Sequence, residues 1–156
     1  MAAHVRHGAP GSFKTAAAVW FDVLVWLRQG REVYTNIRGM LDVADIEDLL
    51  KEEFPPGAAI YCVETDSQDM RYHFAAFFHW LPIGAAIVID EAQFIYPSRN
   101  DFKPTSLDYP GGLNEATKDV RPVDIFTAID KHRHYNWDIC LTTPNIKKLP
   151  SWLRDT

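Results

Sequence analysis

Cysteine is scarce in this chain, basic charge is in deficit, and no apolar run is long. Two cysteines, Cys62 and Cys140, among 156 residues rule out a disulfide framework. Both sit in apolar runs and read as buried free thiols of a reducing compartment. Sixteen Lys and Arg stand against 21 Asp and Glu, a formal charge of -5. The footprint of a dedicated DNA-binding domain is therefore missing, and any nucleic-acid contact needs a local patch or a partner. No apolar stretch approaches the roughly 20 residues of a membrane span. The N-terminus has neither the charged nor the apolar region of a signal peptide. Internal repeats and low-complexity tracts are absent as well. What remains is 47% hydrophobic and suits one soluble, cytosolic globular domain, residues 1–156, with a sizeable core.

What is present starts almost at once. A short β-like run (Ala3, His4, Val5, Arg6) leads into His7-Gly8-Ala9-Pro10-Gly11-Ser12-Phe13-Lys14-Thr15, and the residues after it read as a helix. A phosphate-binding loop works only in that context, between a strand and a helix N-terminus. There the unpaired backbone N–H groups and the positive end of the helix dipole attract an anion. Residues Gly8, Ala9, Pro10, Gly11, Ser12, Phe13, Lys14 and Thr15 are thus the expected nucleotide cradle. Lys14 would place its charge on the terminal phosphates, and the Thr15 hydroxyl would ligate Mg2+. Phe13 stands where the usual G-x-x-x-x-G-K-[ST] pattern has its second glycine, and Phe supplies neither close approach nor unusual dihedrals freely. A plain surface turn before a helix is the competing reading of this stretch taken alone.

The helix from Lys14 to Gln29 is apolar nearly all round, interrupted by Asp22 and Arg28, so it is expected to be buried on most sides, its Trp residues in the core. Gly30 stops it. Glu32–Ile37 is the second strand, and strand, helix, strand in that order favours a parallel sheet with a right-handed crossover. Asn36 and Arg38 follow at the C-terminal edge, where open α/β sheets bind ligands; Arg38 reads as a solvated loop arginine. Asp42 caps a helix over Val43–Phe54, Ala59–Val63 is a short buried strand, and Ser67 caps a helix to Trp80 with Phe74, Phe77, Phe78 and Leu81 in the core.

Gly84-Ala85-Ala86-Ile87-Val88-Ile89-Asp90-Glu91 is the second landmark. A continuous apolar run ending in acid is the pattern of a central parallel strand that delivers carboxylates to the ligand edge. Asp90 would hold Mg2+, and Glu91 would position or deprotonate the attacking water. Either motif alone is common; together they point to a P-loop NTPase fold, α/β with a mainly parallel sheet flanked by helices. Residues 97–121, rich in Pro and Gly, read as a long irregular insertion that packs over the nucleotide, packs against a neighbouring subunit, or extends poorly ordered. Pro122 suits the first turn of a helix over Val123–His134. Near that helix end Arg133 has two readings, simple favourable charge at the C-terminus or an arginine reaching a phosphate across a subunit interface. Trp137–Pro144 is the last strand, with Thr142 or Thr143 placed to hydrogen-bond the attacking water or a γ-oxygen.

Taken together, these stretches resemble the N-terminal domain of the zonula occludens toxin family, the filamentous-phage assembly ATPases. The loop and the acidic strand are general; Val33-Tyr34-Thr35-Asn36-Ile37 and His132-Arg133-His134-Tyr135 are the narrower matches. The resemblance implies an ATP- and Mg2+-dependent motor that works as a homo-oligomer with single-stranded phage DNA and its protein coat and an outer-membrane export channel. It also implies that this is the cytoplasmic domain of an inner-membrane-anchored protein, since no spanning segment occurs here. Within it, Glu91, Lys14, Arg133 and Thr142 are the expected catalytic residues, with Arg154 the alternative to Arg133. Two other outcomes remain open: a nucleotide-dependent assembly switch without efficient hydrolysis, and a small-molecule phosphotransferase.

Overall fold

All five expected strands form, and every pairing among them is parallel. A computed structural model of the chain describes residues 2–155. The strands are β1 (Ala3–His7), β2 (Glu32–Thr35), β3 (Ala59–Cys62), β4 (Ala86–Ile89) and β5 (Asp138–Thr143), in the spatial order β1-β5-β4-β2-β3. Thus the strand that precedes the loop lies at the edge, and β5 separates it from the acid-bearing β4. Arg6 pairs with Thr142 and Ile89 with Leu141, which brings the C-terminal ends of β1, β5 and β4 level.

Side chains alternate across this sheet and feed two cores. Ala86, Val88, Cys140 and Val33 pack beneath α1 (Lys14–Ala18), α2 (Leu24–Arg28) and α3 (Val43–Leu50). Ile87, Ile89, Ile139 and Leu141 pack on the other side, against Phe74 of α4 (Gln68–Ala75) and Ile125 and Ile129 of α7 (Ile125–Asp130). Phe77, Phe78 and Leu81 are fully buried there, as expected. Covering both faces explains why β4 and β5 read as unbroken apolar runs.

Several helices differ from expectation. The Val43 helix ends at Leu50, because Lys51 turns left-handed (φ 53), and does not continue to Phe54. The Gln68 helix stops at Ala75 and continues as a 3-10 turn, Phe77–His79. Pro122 and Val123 precede the helix instead of forming its first turn: Asp124 caps α7, and its carboxylate accepts from Thr127 N–H. After Asp130 the chain forms a 3-10 turn, His132–Tyr135, in place of further α-helix. The 97–121 stretch contains a 3-10 turn (Pro104–Leu107), α5 (Ala92–Ile95) lies just before it, and α6 (Gly112–Lys118) lies within it. Leu107 and Ala116 are buried, Leu107 joins the core that contains Phe74 and Ile129, and Arg121 donates to the Leu81 carbonyl at 2.5 Å, so the stretch packs onto the rest of the domain. The helix after the loop is less enclosed than its composition suggests: Trp20 and Phe21 are 59% and 61% exposed, while Trp26 is buried. Cys140 is buried as expected, but Cys62, on the edge strand β3, is exposed. The edge position of β3 accounts for Cys62, whereas Trp20 and Phe21 lie on the outer face of a helix whose inner face packs across β1, β5 and β2.

Between α1 and α2 runs a π-helical turn, Val19–Val23, which makes the three pieces one rod. The rod turns Asp22 inward onto β1, where its carboxylate accepts from Arg6 Nε (2.8 Å) and Nη2 (3.1 Å) beside His4 Nε2 at 3.3 Å. A buried carboxylate is tolerated only with such partners. Burial pushes the Asp22 pKa up, but the hydrogen bonds from His4 and Arg6 outweigh it and hold the pKa at about 2, against 3.8 normally. A carboxyl depressed in the folded state stabilises the fold above its unfolded pKa and loses that contribution as pH falls through the folded one. Urea denaturation should therefore show Asp22→Asn less stable than the parent by about 2 kcal/mol at neutral pH. The deficit should close as pH falls from about 4 to about 2.

Candidate functional site

Tight turns shape the loop. Ser12 N–H donates to the Ala9 carbonyl (3.1 Å), closing a turn. Gly11 has φ 82, a left-handed conformation natural to glycine. At Gly8 the constraint is space: a Cβ there would lie 2.8 Å from Ser12 Oγ. Phe13 also takes the left-handed conformation, φ 58 and ψ 28, immediately before the helix. Phe13 thus adopts backbone geometry that glycine usually supplies, at a steric cost of about 1 kcal/mol. The residue is 78% exposed. Lys14 folds back over the loop and donates to the Ala9 carbonyl at 3.1 Å.

Across the sheet edge, three elements converge on one carboxylate oxygen. The Thr15 hydroxyl, at the start of α1, donates to Asp90 Oδ1 at 2.8 Å. The Thr142 hydroxyl, from β5, donates to the same atom at 2.6 Å and accepts from Glu91 N–H at 3.1 Å. Glu91 is exposed at the mouth of the site, and Gln93 Nε2 donates to its carboxylate. Asn36, at the end of β2, bonds both the N–H and the carbonyl of Asp90. The cleft beside these groups has a volume of about 450 Å³ and is lined by Thr15, Asn36, Arg38, Arg71, Asp90 and Glu91, among others.

The donor set at Thr15 and Asp90, a hydroxyl and a carboxylate within contact distance, consists of hard oxygens and fits Mg2+. The loop amides at a helix N-terminus, with Lys14 above them, fit a phosphate chain. Thr15, Asp90, Glu91 and Thr142 are therefore together, and Lys14 folds over the loop one residue before Thr15. Thr143 is not part of this group; its hydroxyl donates to the Asn145 carbonyl. Arg133 lies elsewhere. It lines a cavity with Ala2, Ala3, Phe126 and Trp152, beside the first residues of β1 and so at the sheet end opposite the loop. Arg38 is exposed and pairs with Asp66, which agrees with a solvated arginine. Asn36 carries more of the site than its sequence position suggested. Its only signal was its place at the ligand edge directly after a strand.

A phosphate loop after an edge strand, with an acid two strands away and a hydroxyl-bearing strand between them, defines the P-loop NTPase fold. More narrowly, the chain belongs to the zonular occludens toxin (Zot) family, whose model matches residues 2–156. It is 39% identical to the zona occludens toxin of Vibrio cholerae serotype O1 (strain ATCC 39315 / El Tor Inaba N16961) over 158 aligned positions. That match takes in 99% of this chain and 38% of the toxin's length. The N-terminal domain of zonular occludens toxin from Neisseria meningitidis superposes with a TM-score of 0.50 at 23% identity, covering 98% of this chain and 72% of that one. The genome packaging NTPase B204 of Sulfolobus turreted icosahedral virus 2, solved with AMPPCP, gives a TM-score of 0.55 at 13% identity, covering 96% and 68%. At such identities these structural likenesses speak for the fold. Among the described residues no helix is long and apolar enough to cross a membrane.

Phe13 provides a direct check on the loop geometry. Phe13→Gly should relieve the left-handed strain and raise stability by about 1 kcal/mol in denaturant unfolding. Phe13→Val, β-branched and worse in that region, should lower it. Equal midpoints for the three proteins would contradict the strained geometry.

Proposed function

We propose that this chain is the ATP-binding and hydrolysing motor domain of a filamentous-phage assembly and export protein. The observation that carries the reading is the shared Asp90 oxygen, which ties the helix start, the acidic strand and the hydroxyl strand into one polar corner beside Glu91. Relatedness supports it: the chain belongs to the Zot family, and a packaging NTPase of the same fold has been solved with ATP-gammaS and with AMPPCP.

In this reading the loop amides and Lys14 bind the phosphates, and the positive helix terminus favours their charge. Thr15 and Asp90 hold Mg2+, which when bound neutralises charge on the phosphate oxygens. Glu91, beside Asp90 and open to solvent, orients the attacking water and accepts its proton. Thr142 keeps the Asp90 carboxylate aimed at the loop and fixes the Glu91 amide. Because Arg133 sits at the far end of the sheet, it acts at a neighbour's nucleotide in a head-to-tail homo-oligomer, with Arg154 the alternative. The domain works on the cytoplasmic side of an inner membrane, anchored through a segment outside this chain. Its partners are the phage single-stranded DNA–protein complex and an outer-membrane channel.

The experiment is steady-state ATP hydrolysis with Mg2+ by the assembled protein. Glu91→Gln should bind ATP as the parent does and lose turnover by about a hundredfold or more. Turnover unchanged in that variant would refute the assignment. A parent that binds ATP and changes oligomer size without releasing phosphate would favour the assembly switch, and γ-phosphate transferred to a metabolite would favour a phosphotransferase. Arg133→Ala should lower turnover only under conditions in which the protein oligomerises.

A further inference from the structure

Glu91 is held in a conformation that its own residue type disfavours. Its backbone lies in the left-handed region, φ 51 and ψ 50, at the turn between β4 and α5. Non-glycine residues stay there only when the surroundings over-determine them. Here the restraints come from both flanking strands. On the β5 side, Thr142 accepts the Glu91 N–H. On the β2 side, the Asn36 carboxamide makes a two-point clamp on the preceding residue, accepting Asp90 N–H at 2.6 Å and donating to the Asp90 carbonyl at 3.0 Å. That carbonyl belongs to the peptide that leads into Glu91, so the clamp fixes the peptide plane from which the strained turn starts. The Asp90 N–H can only donate and its carbonyl only accept, which fixes the carboxamide's orientation; the same Nδ2 also donates to Thr65 Oγ1 at 3.2 Å.

We infer that Asn36 is a positioning residue: it holds the Asp90–Glu91 corner in its strained form and thereby keeps the Glu91 carboxylate at the reacting phosphate. Its carboxamide is taken up by Asp90 and Thr65, and no backbone ladder bond replaces it, because β2 pairs with β4 only from Val33 to Thr35. Asn suits this post where other polar residues do not. Only a carboxamide presents one acceptor and one donor at the spacing of a peptide's N–H and C=O. The catalytic part of the inference rests on the ATPase reading above; the structural part does not.

The test therefore has two arms on the same variants, Asn36→Ala and the isosteric Asn36→Asp. The first is amide hydrogen exchange. Asn36→Ala should speed exchange of the Asp90 and Glu91 amides by tenfold or more, with Ile87, Val88 and Ile89 remaining protected. Asn36→Asp keeps the acceptor and should preserve protection of the Asp90 amide. The second arm is hydrolysis: both variants should lose kcat by about tenfold or more, with ATP affinity within about twofold, since the phosphates are bound elsewhere. Unchanged exchange at Asp90 and Glu91 in Asn36→Ala, or exchange raised throughout β4, overturns the inference. Altered exchange at the corner with kcat unchanged overturns the catalytic part. A parent without turnover refutes the ATPase reading, and the exchange arm then still decides whether Asn36 holds the corner.

Discussion

Asp90 Oδ1 accepts hydrogen bonds from two hydroxyls, Thr15 at 2.8 Å and Thr142 at 2.6 Å, and much of the structure exists to make that possible. Thr15 belongs to the first turn of the helix that leaves β1, Asp90 follows β4, and Thr142 ends β5. These residues lie far apart in the chain and meet because β5 inserts between β1 and β4. The Thr142 hydroxyl on the inserted strand adds a second bond to the oxygen that Thr15 reaches directly. The corner is polar and only half-buried, so its hydrogen bonds give direction more than stability. Stability comes from the two apolar layers that fix the sheet on either side.

The rod after the loop shows how that fixing reaches the site. Its inner face carries Thr15 at one end and buried Asp22 farther along, tied to Arg6 and His4 of β1. The loop is therefore anchored to the sheet at two points along its helix, one at the polar corner and one at the ion cluster. The Cys140 thiol lies against this cluster and is held protonated by burial. Of the five non-glycine residues with left-handed backbone among the described residues, Phe13 at the loop's end and Glu91 beside the acid flank this corner, while Lys51, Val120 and Asn136 close turns elsewhere. Strain of this kind persists where packing and hydrogen bonds over-determine a turn, and it concentrates at functional sites.

β3 and β4 were legible in the sequence as apolar runs, and β4 and β5 are buried on both faces; β1 (AHVRH) and β2 (EVYT) were marked instead by the loop that follows one and by Gly30 before the other. The phosphate loop, Asp90 and Glu91 were legible because their chemistry demands a particular place, after a strand and before a helix. Strand order was not, since nothing in β1 marks it as an edge. From that gap came the misplaced burial of Cys62; Trp20 and Phe21 are apolar residues on the outer face of their helix. Helix ends were read too far wherever a single left-handed or 3-10 residue closed the helix, as at Lys51 and Phe77. The irregular look of 97–121 came from its Pro and Gly content, which hid Leu107 and Ala116 as core residues. Asn36 was visible as a residue at the ligand edge, but its clamp on Asp90 depends on β2 lying beside β4.

The central claim is that the loop binds a nucleotide's phosphates although Phe13 replaces the usual glycine. Titration of a fluorescent ATP analogue in the presence of Mg2+, with the parent chain beside Lys14→Ala, tests it most directly. Saturable micromolar binding that is lost with Lys14 is the expected result. Binding that is equal in the two proteins, or absent from the parent in both its monomeric and assembled forms, would contradict it.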